Sequence, residues 1–272
     1  MSEQPGRKRF RIPHLEQAKV QGRKITMLTA YDGPTARILD SADDDLLLVG
    51  DSIGNTMLGY RDTIPVTVDQ IVVATRAVVS ATKYALVVAD LPFGSYEGSP
   101  EQAFATATRM FKEAGAQAVK LEGGRRIVPQ VKVLTDAGIP VIGHLGFTPQ
   151  SEHALGGKRV QGRGEDAAEQ LSEDALALQD AGASAIVLEM TPTPVAARIT
   201  EILHIPTIGI GAGPECDGQV LVWLDIAGMD DWSPRFAKTY GQVGAALRAA
   251  AHEFVNEVRG GEFPGPEHSF DA

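Results

Sequence analysis

Short apolar runs recur along the chain, and nearly all stop at a residue able to do chemistry. ITMLTAY ends at Asp32, LLLVG at Asp51, LVVA at Asp90, AVKL at Glu122, VIG at His144 and AIVL at Glu189; TIGIGAG and QVLVWLD complete the series. Runs without polar alternation suit strands covered on both faces, as in a parallel sheet flanked by helices. The intervening stretches carry helix-start signals. Pro34 suits the first turn of a helix to about Ser41, and Thr67 is an N-cap for one to about Ala81. Ser99-Pro100-Glu101-Gln102 is a capping signature for a helix ending near Gly115. Further helices are predicted from about Arg126 to Asp136, Asp166 to Ala181 and Pro194 to Leu203. Eight such units predict a (β/α)8 barrel of the TIM type, an open doubly wound sheet being the alternative.

The ends read differently. Residues 1–22 are polar and broken by Pro5, Gly6, Pro13 and Gly22, which predicts a flexible arm. Its Arg7, Lys8, Arg9 and Arg11 are either solvated or touch an anion. Residues 23–272 read as one catalytic domain, closing with a helix over Phe236 to Val258 and the irregular tail GGEFPGPEHSFDA. The stretch FTPQSEHALGGKRVQGRG, Phe147 to Gly164, is too rich in glycine and polar groups for a regular element. A connection this long in a compact domain is usually functional.

Composition narrows the function classes. The chain has 272 residues, enough for a single α/β barrel, and 43% are hydrophobic, enough for a sizeable core. A net charge of -10 argues against a nucleic-acid partner, because phosphate contacts need clustered Lys and Arg. Cys216 is alone, so no disulfide within the chain and no Cys-based zinc cluster can form. The first ten residues lack the apolar core of a signal peptide, and no apolar run approaches bilayer-spanning length. These features predict a soluble cytoplasmic protein with no membrane partner.

Strands of a parallel barrel point one way, so residues at their carboxyl ends share one face. Asp51, Asp90 and Glu122 would form a hard-oxygen set there, and carboxylates around a common cavity suit magnesium. His144 and Glu189 would then be free acid-base groups. Lys120, two residues before Glu122, shares its side of the strand and would contact a substrate anion or act as a Schiff-base nucleophile. The bland readings stand beside these: an acid at a strand end also caps the next helix, and His144 also reads as a hydrogen-bonded interior histidine. GIGAG cradles a phosphate or merely permits close packing.

Several long segments carry a family resemblance: TAYD, LVGDSIGNTMLGY, PVTVD, VADLPFGSYE, VKLEGG, GHLGFTPQS, GGKRVQGRG, IPTIGIGAGPECDGQ and PGPEHSF. Together, over about residues 24 to 270, they resemble the ketopantoate hydroxymethyltransferase family. The resemblance implies a (β/α)8 barrel and hydroxymethyl transfer from 5,10-methylenetetrahydrofolate, as co-substrate, to 3-methyl-2-oxobutanoate. The product would be 2-dehydropantoate, formed through a magnesium-stabilised enolate in pantothenate biosynthesis. It further implies one Mg2+ per subunit, with Asp51 and Asp90 as direct ligands and Glu122 completing the set directly or through water. Asp51, Ser52, Asp90 and Lys120 match keto-acid contacts, His144 a secondary site residue and Glu189 the proton acceptor. The family also forms homo-oligomers, a decamer being implied.

The chain departs from the family's usual text at Val73-Ala74, where a tyrosine-histidine pair is common, at Ser151-Glu152-His153 and at Arg61-Asp62. None of these lies in the acidic set. Two other classes fit the same constellation. One is a barrel enzyme making or breaking a carbon–carbon bond in another keto acid without folate; the other is a non-catalytic metabolite sensor, which would not need Glu189.

Overall fold

The computed structural model describes residues 7–270. Eight parallel strands close into a barrel in sequence order, each hydrogen-bonded to the next and β8 to β1. They are β1 (Ile25–Thr29), β2 (Leu46–Val49), β3 (Leu86–Asp90), β4 (Ala118–Glu122), β5 (Val141–Gly146), β6 (Ala185–Glu189), β7 (Thr207–Ile210) and β8 (Gly218–Leu221). Closure, rather than an open sheet, is the architecture. It removes both sheet edges.

The helices follow the predicted start signals closely. We number them α1 (Pro13–Val20), α2 (Gly33–Ser41), α3 (Ile53–Thr56), α4 (Val68–Ala81), α5 (Pro100–Ala114), α6 (Val128–Asp136), α7 (Glu152–Leu155), α8 (Glu165–Asp180), α9 (Thr193–Ile202), α10 (Trp223–Ala227) and α11 (Val243–Gly260). Asp32 caps α2 by accepting the Thr35 amide, so here the capping reading of a strand-end acid is the right one. Thr67 and Gln70 form a reciprocal capping box on α4, and Ser99 accepts the Gln102 amide ahead of Pro100 in α5.

The barrel interior is divided along its axis. Its lower part is apolar: Ile25, Met27, Leu46, Leu48, Leu86, Val88, Ala118, Ile142, Ala185, Val187, Ile208 and Val220 form one buried cluster. Above it, at the carboxyl ends, β3 to β6 turn to Asp90, Lys120, Glu122, His144 and Glu189. The apolar layers fix the strands, and those strands then present polar side chains at set heights. At the seam, Gly218 has no room for a side chain, since a Cβ there would lie 2.6 Å from the Ile25 carbonyl.

Three expectations about the ends change. Residues 7–22 are not a flexible arm: α1 buries Leu15 and Ala18, and Phe10 joins the same cluster at the amino-terminal end of the barrel. Phe10 N–H donates to the Tyr84 carbonyl at 2.7 Å, and Lys19 Nζ bonds Asp217 Oδ2 at 2.8 Å. Pro13 begins this helix instead of breaking the chain, as a proline in the first turn does. Residues 1–6 of the expected arm lie outside the described residues. The last strand stops at Leu221, and the expected strand residues Trp223 to Asp225 belong to α10. Finally, the described part of residues 23–272 does not form one compact body: it divides after Leu221 into two units.

Within the second unit, α11 begins at Val243, later than the expected Phe236, and none of its residues is buried. Val243, Leu247, Phe254 and Val258 are exposed and fall on one stripe of the helix. The tail contains a 3-10 turn, Pro266–His268. Among the described residues no helix is long and apolar enough to cross a membrane.

Candidate active site

Register brings the predicted residues together. Asp90 of β3 lies opposite Lys120 of β4, and Glu122 lies opposite His144 of β5. Lys120 and Glu122 are two apart on one strand, so their side chains project to the same side. Glu189, opposite Gly146, ends β6. Asp51 follows β2 at the start of the turn into α3, with Ser52 beside it.

Asp51, Asp90, Lys120, Glu122 and His144 are all buried, and Glu122 is sealed completely at 0% exposure. Lys120 Nζ sits 2.9 Å from Asp90 Oδ1, 3.6 Å from Glu122 Oε1 and 3.3 Å from His144 Nδ1. The Asp51 amide donates to Asp90 Oδ2 at 3.2 Å, joining the ends of β2 and β3. Ser52 Oγ pairs with the Tyr31 hydroxyl at 2.8 Å.

Burial sets the protonation of this cluster. It pushes the Asp51 carboxyl up, with Glu122 adding repulsion while Lys120 pulls it down. Burial raises Asp90 further, against the pull of Lys120 and with repulsion from Asp51 and Glu122. Glu122 is raised for the same first reason and eased by Lys120. Burial works against the Lys120 ammonium, yet Asp90, Glu122 and Asp51 outweigh it and hold its pKa above the ordinary lysine value. Lys120 therefore stays charged. That state disfavours a Schiff-base nucleophile, which must be a free amine.

His144 lies between two acids, with Nδ1 3.1 Å from Glu122 Oε1 and Nε2 3.3 Å from Glu189 Oε2. Burial, then the nearby Lys120 charge, lowers its pKa, so the ring is neutral at neutral pH. A neutral imidazole has one N–H to give. Which nitrogen carries it decides the contacts: on Nδ1 it serves Glu122, and on Nε2 it faces Glu189 and leaves Nδ1 to accept from Lys120.

The charge sum bears on a metal. Three buried carboxyls surround one buried ammonium; with all three ionised, the two negative charges left over would match one divalent cation. Among the described residues no three His, Cys, Asp or Glu side chains are arranged to cage an ion by themselves. The donor set nonetheless fits magnesium, which usually takes one or two carboxylates and leaves its other positions to water and substrate. Asp51 and Asp90 would be that pair. Both Glu122 oxygens are taken, Oε1 by His144 Nδ1 and Oε2 by the Gln150 amide at 3.0 Å, so Glu122 suits an outer position.

Two residues at the centre of the site carried no signal of their own in the sequence. Gln150, in the turn after β5, donates from Nε2 to Asp51 Oδ2 at 3.0 Å. Tyr96, after β3, donates to Gln150 Oε1 at 2.7 Å. Both sit in motifs quoted above, GHLGFTPQS and VADLPFGSYE, but neither ends an apolar run. The loop from Phe147 to Gly164 is also more ordered than expected: a 3-10 turn, Pro149–Ser151, runs into α7. Its far end is tied to β6 by Gln161 N–H donating to the Met190 carbonyl at 2.9 Å. Beside it, a cavity of about 420 Å³ is lined by Arg61, Asp62, Pro149, Glu152 and His153, among others. Positions where the chain departs from the family's usual text thus share one wall.

A closed (β/α)8 barrel with a charged polar cluster at its carboxyl mouth has the arrangement of a barrel enzyme. Comparison with known proteins makes the assignment specific. The family model for ketopantoate hydroxymethyltransferase matches residues 9–266. The 3-methyl-2-oxobutanoate hydroxymethyltransferase of Saccharopolyspora erythraea is 60% identical, over 98% of this chain and 91% of that protein. The protein of the same name from Leifsonia xyli is 57% identical, over 98% and 96%. The chain belongs to the ketopantoate hydroxymethyltransferase family and is a transferase of that class. Among solved structures, phosphonopyruvate hydrolase in complex with oxalate and Mg++ superposes with a TM-score of 0.62 at 15% identity, covering 95% of this chain and 93% of that one. A 2,3-dimethylmalate lyase of the PEP mutase/isocitrate lyase superfamily gives 0.58 at 18%, covering 94% and 92%. At such identities the likeness concerns the fold.

Proposed function

We infer that the chain transfers a hydroxymethyl group from 5,10-methylenetetrahydrofolate to 3-methyl-2-oxobutanoate, giving 2-dehydropantoate, with one Mg2+ per subunit held by Asp51 and Asp90. The observation that supports the metal assignment is the convergence of three buried carboxyls on a single buried ammonium, which leaves two negative charges for a divalent ion when all three are ionised. Bound there, the ion supplies Lewis-acid polarisation of the keto acid and offsets negative charge that develops on its oxygen. The remaining work belongs to the chain. Lys120, a fixed ammonium held by Asp90, is placed to contact the keto acid once the cation offsets the carboxylates, and Ser52 supplies a hydroxyl at the edge of the site.

Glu189 accepts the proton from carbon 3. Its Oε2 lies 3.3 Å from His144 Nε2, so with the ring proton on Nδ1 a proton arriving on Glu189 is shared with this nitrogen as a hydrogen bond. His144 thereby stabilises the protonated acid without itself becoming charged. One water releases the methylene unit of the folate at the oxidation level of formaldehyde, leaving tetrahydrofolate; carbon 3, now nucleophilic, attacks that carbon, and the alkoxide formed takes back the proton from Glu189.

The reading extends to a cytoplasmic protein that assembles as a homo-oligomer, the decamer that the resemblance implies. The exposed apolar stripe of α11 supports assembly, since such surface is usually covered. An assay of the purified protein with Mg2+, 3-methyl-2-oxobutanoate and methylenetetrahydrofolate tests the reaction. Product is expected only when all three are present; product without the folate would move the chain to folate-free carbon–carbon chemistry.

A further inference from the structure

We propose that Gln150 is a positioning residue for the Asp51 carboxylate, and that Tyr96 sets the orientation in which Gln150 works. The inference rests on the reading of Asp51 as a magnesium ligand. Gln150 is 4% exposed and Tyr96 is fully buried, so water does not satisfy their polar atoms.

Every hydrogen-bonding atom of the Gln150 amide is used. Nε2 donates one hydrogen to Asp51 Oδ2 at 3.0 Å and the other to the Leu91 carbonyl at 2.9 Å. Oε1 accepts from the Tyr96 hydroxyl at 2.7 Å. The opposite flip of the amide would set Oε1 against a carboxylate and a carbonyl, both acceptors, so the environment allows one orientation. Tyr96 favours the same orientation, because its buried hydroxyl has one hydrogen and the Gln150 Oε1 at 2.7 Å is a closer acceptor than the Glu122 carbonyl at 3.1 Å. That hydroxyl also accepts the Glu122 amide at 3.1 Å.

The main chain of Gln150 acts on a second acid, its N–H donating to Glu122 Oε2 at 3.0 Å. One residue thus holds the acids that follow β2 and end β4, while adding no charge to a site already rich in carboxylates. A hydrogen bond to Oδ2 leaves Oδ1 of Asp51 for the cation. Groups that orient a ligand in this way typically contribute about 10–100-fold to metal affinity or activity.

The test uses the full chain, with magnesium binding measured by calorimetry. Gln150→Met keeps the approximate length of the side chain and the amide bond to Glu122, but removes both ends of the relay. Tyr96→Phe removes a single hydroxyl. Gln150→Met is expected to weaken magnesium binding about 10–100-fold, and half-saturating magnesium for activity should rise in step. Tyr96→Phe should weaken binding in the same direction by less. In the double variant the loss should be less than the sum of the two single losses, because Tyr96 acts on Asp51 through Gln150 while its bond to the Glu122 amide persists in Gln150→Met. A folded Gln150→Met with wild-type magnesium affinity overturns the proposal, and additive effects overturn the part played by Tyr96. If Gln150→Met does not fold, unchanged affinity in Tyr96→Phe overturns the relay. A wild-type chain that takes up no magnesium overturns the metal reading itself, and this inference with it.

Discussion

Lys120 Nζ stands 2.9 Å from Asp90 Oδ1, and both side chains are almost fully withdrawn from water. A buried pair of this kind costs desolvation on both sides, and removing one partner leaves the other charge stranded. Lys120 also serves Glu122 at 3.6 Å, so its loss would strand two acids. Lys120→Met is expected to destabilise the magnesium-free protein by about 3–5 kcal/mol, measured by urea unfolding. A loss below about 1 kcal/mol, the range of exposed pairs, would show that the acids simply take up protons.

A second prediction concerns the opposite end of the barrel. Asp44, just before β2, is buried, and its carboxyl is pushed up to about 7, chiefly by burial. Its Oδ2 has no hydrogen-bond partner. A carboxyl raised in the folded state binds its proton more tightly there than in the unfolded chain. Its contribution is therefore fully present below the ordinary value of 3.8 and is lost as pH rises through about 7. Asp44→Asn cannot titrate, so it should flatten the fall in stability between about pH 4 and pH 7. Equal slopes for variant and wild type in denaturant titrations across that range would place the pH dependence elsewhere.

The loop after β5 gives a third. Lys158 and Arg159 are exposed, between the αL residue Gly156 and the anchor at Gln161. A segment held at both ends beside a site proposed to generate a reactive carbanion is suited to exclude water when substrate binds. Trypsin should cut at Lys158 and Arg159 in the free protein, and magnesium with 3-methyl-2-oxobutanoate should slow that cutting. Identical digestion with and without these ligands would make the loop a fixed wall.

The strands were legible because burial on both faces leaves an unbroken apolar run, and the site because each run ends where the barrel opens. Asp90, Glu122 and Glu189 are the final residues of their strands. Asp32 follows the same pattern yet is a helix cap, since capping and ligation ask for the same side chain. What stayed hidden depends on contacts across the fold. Leu15 and Ala18 are two small apolar positions in a polar stretch, and only the open base of the barrel explains them. Gln150 is a neutral residue in a turn, and its role exists only because Asp51, Leu91 and Tyr96 converge on one amide.

The last prediction tests the base. Gly146 fixes where Glu189 sits: its φ is +88, and a Cβ there would come within 2.1 Å of the Glu189 carbonyl. β5 and β6 thus meet closely where His144 and Glu189 face each other. Asp51, Asp90 and Glu122 are engaged with Gln150, Lys120 and His144, whereas Glu189 retains 15% side-chain exposure at the mouth and can reach a substrate. Glu189→Gln keeps the shape and removes the basicity, so magnesium and keto-acid binding should persist. Solvent deuterium exchange at carbon 3 and product formation should fall together, by about a hundredfold to ten-thousandfold. His144→Asn serves as the second arm: it removes the Nε2 partner and should slow exchange less than Glu189→Gln does. Exchange at the wild-type rate in Glu189→Gln, with loss in His144→Asn, would transfer the role of base to His144.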